Sequence, residues 1–126
     1  MAFAGAMTTL LVVAVAATLV RGGPKIIHAT VRGSTATAEV RINGGRADLI
    51  VHHLPAPRTG RIYEVWLERP NSPPAPTSAL FSVTAGGAAD VGVPGGLNGV
   101  SKILVTEESA GGSAVPMGPA VIVADL

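Results

Sequence analysis

The first twenty residues, MAFAGAMTTLLVVAVAATLV, hold sixteen apolar side chains and no charge. An uncharged run of this kind constrains the fold more than any other part of the chain. At about 1.5 Å rise per residue a helix of that length spans about 30 Å, the thickness of the bilayer hydrocarbon. The expectation is a transmembrane helix over residues 1–21. A cleaved signal peptide fits less well, because no Lys or Arg precedes the run and the run exceeds an ordinary h-region. A buried core helix would show an amphipathic stripe, and this segment is apolar all round. Arg21 and Lys25 are the nearest cations; taken alone, the positive-inside rule would place the C-terminal part of the chain in the cytoplasm.

Without this run the chain is less apolar than an ordinary globular domain. Beyond Arg21 the charges balance, with eight basic and eight acidic residues and no basic cluster. That balance gives little attraction for phosphate and excludes a nucleic-acid reader. The absence of cysteine excludes a disulfide scaffold and any thiolate metal site.

Gly22-Gly23-Pro24 ends the expected helix, and residues 22–25 read as a juxtamembrane linker. Residues 26–126 then alternate short β-type runs with turn clusters. Strands are expected over 26–32, 35–42, 46–53, 61–68, 78–83, 88–93, 100–106 and 120–126. In 35–42 the alternation is strict, with Ala36, Ala38, Val40 and Ile42 inward and Thr35, Thr37, Glu39 and Arg41 outward. Asn43-Gly44-Gly45 signals a hairpin, so the first three strands should form a meander. Thr84 to Gly87 is a second hairpin candidate. In 61–68, Tyr63, Val65 and Leu67 share one face, while Ile62, Glu64, Trp66 and Glu68 make a mixed face that puts Trp66 under a loop or near an edge. The proline-rich stretch 70–77 and the segment 107–119 read as irregular loops. About eight short strands without intervening helices predict an all-β, mainly antiparallel sandwich behind one N-terminal transmembrane helix.

Chemistry is scarce. His52 and His53 are adjacent on a strand and point to opposite faces. A His28/His52 pair across the meander, with Asp48, could hold zinc or copper, and Met117 could join a copper site; the plainer reading is partly exposed strand histidines. Gly111-Gly112-Ser113 lacks the strand–turn–helix setting of a nucleophile elbow. Glu64 and Glu68 would stand about 13 Å apart on a strand, and Glu107 and Glu108 would face opposite sides. All four read as solvated surface charge. Gly95-Gly96 precedes no helix and offers no phosphate cradle. No cofactor and no catalytic residue are expected, and the chain reads as a non-enzyme.

Residues 61–126 resemble a known family. Gly60-Arg61-Ile62-Tyr63-Glu64-Val65-Trp66-Leu67 is similar to the G-x-x-Y-x-x-W-L opening of the C-terminal domain of the anti-sigma-K factor family. Ser78-Ala79-Leu80-Phe81 resembles its S-x-G-x-F strand. Lys102 to Gly112, followed by Ser113 to Pro119, resembles its V-T-x-E-P-x-G-G-S-x-x-P-T-G-P tail, with Ser109 at the usual Pro and Met117 at the usual Thr. The resemblance marks Tyr63, Trp66, Leu67, Phe81, Gly118 and Pro119 as the motif's structural residues.

The resemblance implies a single-pass protein of the cytoplasmic membrane with its C-terminal β domain outside. A cytoplasmic N-terminal domain would hold an extracytoplasmic-function sigma factor, and stepwise cleavage by extracytoplasmic and membrane proteases would release it. That sigma-binding domain should precede the helix, in which this chain begins, so the sigma factor would be held by a domain absent from this chain. The exposed joint Arg21, Gly22, Gly23, Pro24, Lys25 is the expected cut region. The alternative is a membrane-anchored β-sandwich binding module with no role in transcription.

Overall fold

The computed structural model describes residues 23–126. The apolar run on which the expected span rests, together with Arg21 and Gly22, lies outside the described residues. Among the described residues no helix is long and apolar enough to cross a membrane.

Nine strands follow in order: β1 (Lys25–His28), β2 (Thr30–Val31), β3 (Thr37–Asn43), β4 (Arg46–His52), β5 (Arg61–Glu68), β6 (Ala75–Phe81), β7 (Ala89–Val93), β8 (Lys102–Ser109) and β9 (Ala120–Asp125). They form two sheets, ordered β1-β3-β4-β7 and β2-β9-β8-β5-β6, with every pairing antiparallel. The all-β, two-sheet expectation holds.

The alternating run becomes β3 with the expected faces. Ala38 and Val40 are buried and Thr37 and Arg41 exposed. The hairpin forms where Asn-Gly-Gly predicts it: Asn43 pairs with Arg46, and Gly44 and Gly45 sit at φ of 60° and 84°. This is the backbone that a tight two-residue turn requires.

Five expectations are corrected. The single strand expected over 26–32 is two. β1 pairs with β3 in the first sheet, and β2 pairs with β9 in the second. Ala29 lies at the crossing and donates its N–H to the Ala38 carbonyl at 2.9 Å. Strands that switch sheets at a corner close a sandwich along that side, which a local hydrophobic pattern does not reveal. Lys25, expected in the linker, already pairs with Ile42 as the first residue of β1.

Residues 84–87 do turn, with Gly87 N–H donating to the Thr84 carbonyl at 2.8 Å, but β6 and β7 belong to different sheets. The turn is a crossover clamped to the end of β4, where Leu54 N–H donates to the Gly87 carbonyl at 3.0 Å. A Cβ on Gly87 would lie 2.7 Å from His53 Cα and from Leu54 N, at a φ of +81°. Gly87→Ala is therefore expected to cost about 2–4 kcal/mol, from backbone strain and displaced packing together. Urea unfolding checks it, and a loss below about 0.5 kcal/mol would show that the crossover yields freely.

The proline-rich segment is not wholly irregular, because β6 begins at Ala75 and contains Pro76. β6 is an edge strand, where a missing N–H can face away from the sheet. The register between β5 and β6 shifts between Glu64 and Trp66. Ser78 has φ 72°, and the Thr77 hydroxyl bridges the irregularity by donating to the Val65 carbonyl at 2.8 Å. The fifth correction is β8, which runs on to Ser109 because Glu107, Glu108 and Ser109 pair with Tyr63, Ile62 and Arg61.

The core lies between the sheets. Val40, Leu49 and Val51 from the first meet Val65, Ile103, Val105, Ile122 and Ala124 from the second. Branched and small side chains fill it, with one aromatic pair, Tyr63 and Phe81, whose ring centroids are 5.4 Å apart.

Candidate functional site

Trp66 is fully buried but is not part of this core. By strand alternation its side chain leaves the opposite face of β5 from Val65 and Leu67. On that outer face it adjoins Glu64, and across the pairing Leu104 and Thr106. Residues 110–119 cross this face as a strap tied to Glu64 and Glu108, and the full burial of Trp66 on that face agrees with the first of the two expected placements, under a loop or near an edge.

The strap is held by buried carboxylates. Trp66 Nε1–H donates to Thr106 Oγ1 at 2.8 Å, and Thr106 Oγ1–H donates to Glu108 Oε2 at 2.6 Å. Glu108, with no exposed surface, also accepts the Met117 N–H at 3.1–3.2 Å. Glu64, only 3% exposed, accepts the Ser113 N–H at 2.7 Å. The two carboxylates thus grip both sides of Ala114-Val115-Pro116. A Cβ on Gly112, at φ +85°, would meet Glu64 Oε1 and Leu80 Cδ2 at 3.1 Å, so glycine lets the strap lie this close.

Charge on Glu108 is sustained by donors. Burial pushes its carboxyl up. Hydrogen bonds from Thr106, Ser113 and the Met117 amide, with the Arg61 charge, outweigh burial and hold it below the ordinary range. Beside it Glu107 binds Arg58 Nε at 2.6 Å and lies 3.5 Å from Arg61 Nε. Burial raises Glu107 and the contacts with Arg58 and Arg61 lower it, with a net downward shift. The Tyr63 hydroxyl donates to the Pro55 carbonyl at 2.6 Å. Burial and then the Glu107 charge raise its pKa.

Reading Glu64 and Glu108 as solvated surface charge is thus wrong, whereas Glu107 keeps partial exposure and Glu68 is half-buried. The miss has a physical cause. Burial of both comes from a segment far along the chain, and the only sequence signal was the shared motif that spans all three pieces. The motif residues converge on the fold. Tyr63, Leu67 and Phe81 enter the core, Trp66 is buried on the outer face, and a Cβ on Gly118 would lie 3.8 Å from the Glu107 carbonyl. Pro119 follows it, exposed, at the entry to β9.

The histidines are not brought together as ligands. His28 pairs with Glu39 and His52 with Thr37, so β3 separates them by two strand spacings, about 10 Å. They border one shallow groove with Glu39 and Ile50, on the first sheet, while Met117 lies on the strap over the second. No group of three His, Cys, Asp or Glu among the described residues could hold a metal ion. In the expected cut region, Gly23 and Pro24 are exposed and lead directly into β1.

The fold and this clasp define a class: a two-sheet β domain whose shared motif ties a loop onto its outer face. The family model for the anti-sigma-K factor rskA C-terminal domain matches residues 3–120, and the chain belongs to that family. No curated protein and no solved structure gave a match.

Proposed function

We propose that this chain is the membrane span and extracytoplasmic β domain of an anti-sigma factor controlled by regulated proteolysis. The carrying observation is that the family match runs from residue 3 to residue 120, through the apolar run and the β domain alike. The run has the length and uncharged composition of a span. The domain acts as a folded shield or sensor and not as a catalyst. The accessible backbone of Gly23 and Pro24, between the run and β1, is the segment that a protease would cut. The sigma factor is the partner of the whole system, held by a cytoplasmic domain upstream of the span.

An alkaline phosphatase fusion after Leu126, with N-terminal sequencing of fragments recovered from cells, tests this. The expected result is an active fusion that stays with the membrane after carbonate washing, and new N-termini within 21–25. A soluble chain, an inactive fusion or cuts confined to the β-sandwich would overturn it. A membrane-bound chain whose loss leaves sigma-dependent transcription unchanged would return it to the binding-module reading.

A further inference from the structure

One end of the sandwich carries cations that the fold leaves unpaired. β1 enters the first sheet at Lys25, opposite Ile42, beside the Asn43–Arg46 turn. β7 leaves that sheet at Val93, opposite Ala47. Just past the end of β5, the Arg69 guanidinium donates to the Gly96 carbonyl at 3.3 Å and the Asn98 carbonyl at 3.1 Å. Those bonds tie the second sheet to the loop that follows β7. Lys25, Arg46, Arg69 and Asn98 therefore belong to one end of the domain, and all four are exposed.

Among the described residues the ion pairs are Arg41–Glu39, Arg58–Glu107, Arg61–Glu107 and Lys102–Asp125. Lys25, Arg46 and Arg69 are in none of them, nor is Arg32, whose backbone lies by Val121 near the start of β9, away from this end. The acids near this end are Glu68, which is half-buried, Asp125, which is taken by Lys102, and Asp48, two residues into β4. At the far end Arg58 and Arg61 share Glu107, and the Glu108 carboxylate also acts on Arg61. Next to Lys25, Ile26 is 49% exposed.

The chain also sets where this end can be. The apolar run stops at Val20 and β1 starts at Lys25, a link that spans at most about 17 Å when extended. We propose that this end of the domain docks on anionic phospholipid headgroups through Lys25, Arg46 and Arg69. The proposal rests on the reading that residues 1–20 span a membrane. Docking lays the joint 21–25 against the headgroup layer, so lipid charge and ionic strength set how often a protease meets it. Each cation near an anionic surface shifts the docked-to-undocked ratio about fivefold, and salt screens the effect.

The chain has no cysteine, so Asn98→Cys supplies one labelling site at the proposed contact and Ala56→Cys one at the far end. The full chain, carrying a fluorophore at either position, is reconstituted in vesicles of phosphatidylcholine alone or mixed with phosphatidylglycerol. Both kinds contain a headgroup spin-labelled quencher lipid. Quenching at position 98 is expected to be strong with phosphatidylglycerol, weak without it and reduced by salt, with little at position 56. Adding Lys25→Gln and Arg46→Gln should lower the docked-to-undocked ratio about 25-fold. Equal quenching in the two lipids, or no response to the double substitution, would overturn the docking while leaving the span in place. Failure to float with phosphatidylcholine vesicles at high salt would overturn the span and the docking together.

Discussion

Trp66→Ala is expected to destabilise the β domain by about 3–5 kcal/mol, the range for deleting a large buried aromatic. Trp66 has no exposed surface, yet it lies outside the core between the sheets. Its loss would empty the space beneath the strap and leave Thr106 Oγ1 without the indole donor. Trp66→Phe separates the two effects: most of the apolar volume stays, the N–H goes, and the expected cost is about 1–2 kcal/mol. Urea unfolding followed by far-ultraviolet circular dichroism measures both. An alanine variant within about 1 kcal/mol of the parent would mean that the strap does not form a packed second layer.

Glu108→Ala should cost about 3 kcal/mol, because it strands the Thr106 hydroxyl and the Met117 N–H under the strap. Glu108→Gln should cost less, since its side-chain carbonyl still accepts one of those donors. The loss should be local first. The Met117 amide is expected to exchange quickly in Glu108→Ala, and proteases should cut within 110–119 before the sheets unfold. Continued protection of that amide would show that something else holds the strap.

The same group sets an acid limit. The Glu108 carboxyl is lowered in the folded state, so its stabilisation is complete above the ordinary glutamate pKa of about 4.3. It is lost as pH falls through the lower folded value, where the folded protein must take up the proton that the unfolded chain already holds. Glu107 shifts in the same direction and adds to the trend. The acid-induced loss of stability should therefore shrink in Glu108→Gln.

The clasp places the shared motif in structural terms. The Trp, the Thr-x-Glu and the Gly-Gly-Ser pieces come from β5, β8 and the strap; a chain of hydrogen bonds runs from Trp66 through Thr106 and Glu108 to Met117, and the Ser113 N–H is held separately by Glu64. The family signature is thus divided: Tyr63, Leu67 and Phe81 fill the core between the sheets, while Trp66, Thr106, Glu108 and the strap close the outer face of the second sheet. At the end of the domain where β1 leaves the joint, Lys25, Arg46 and Arg69 stand exposed and outside any ion pair.

Local physics made much of this fold legible. The period-2 run 35–42 stated both the strand and its faces, because side chains alternate across any strand. Asn43-Gly44-Gly45 stated the hairpin, because few other residues tolerate positive φ twice in succession. The mixed face of 61–68 put Trp66 under a loop or near an edge, without choosing between them.

Other features depended on contacts between distant segments. Whether 26–32 serves one sheet or two is decided by β3 and β9, which compete for its edges. Whether Thr84–Gly87 is a hairpin or a crossover is decided by the backbone of His53 and Leu54, which packs against Gly87. The two carboxylates show the division most sharply. Glu64 and Glu108 carry the same charge and sit on the same kind of strand as any exposed glutamate. Sequence alone determined an uncharged run of membrane length, a charge-balanced β domain and the motif that relates it to a family. Only the tertiary structure decided that these two charges are buried, because their burial becomes favourable once a strap from residues 110–119 brings backbone N–H groups to replace water.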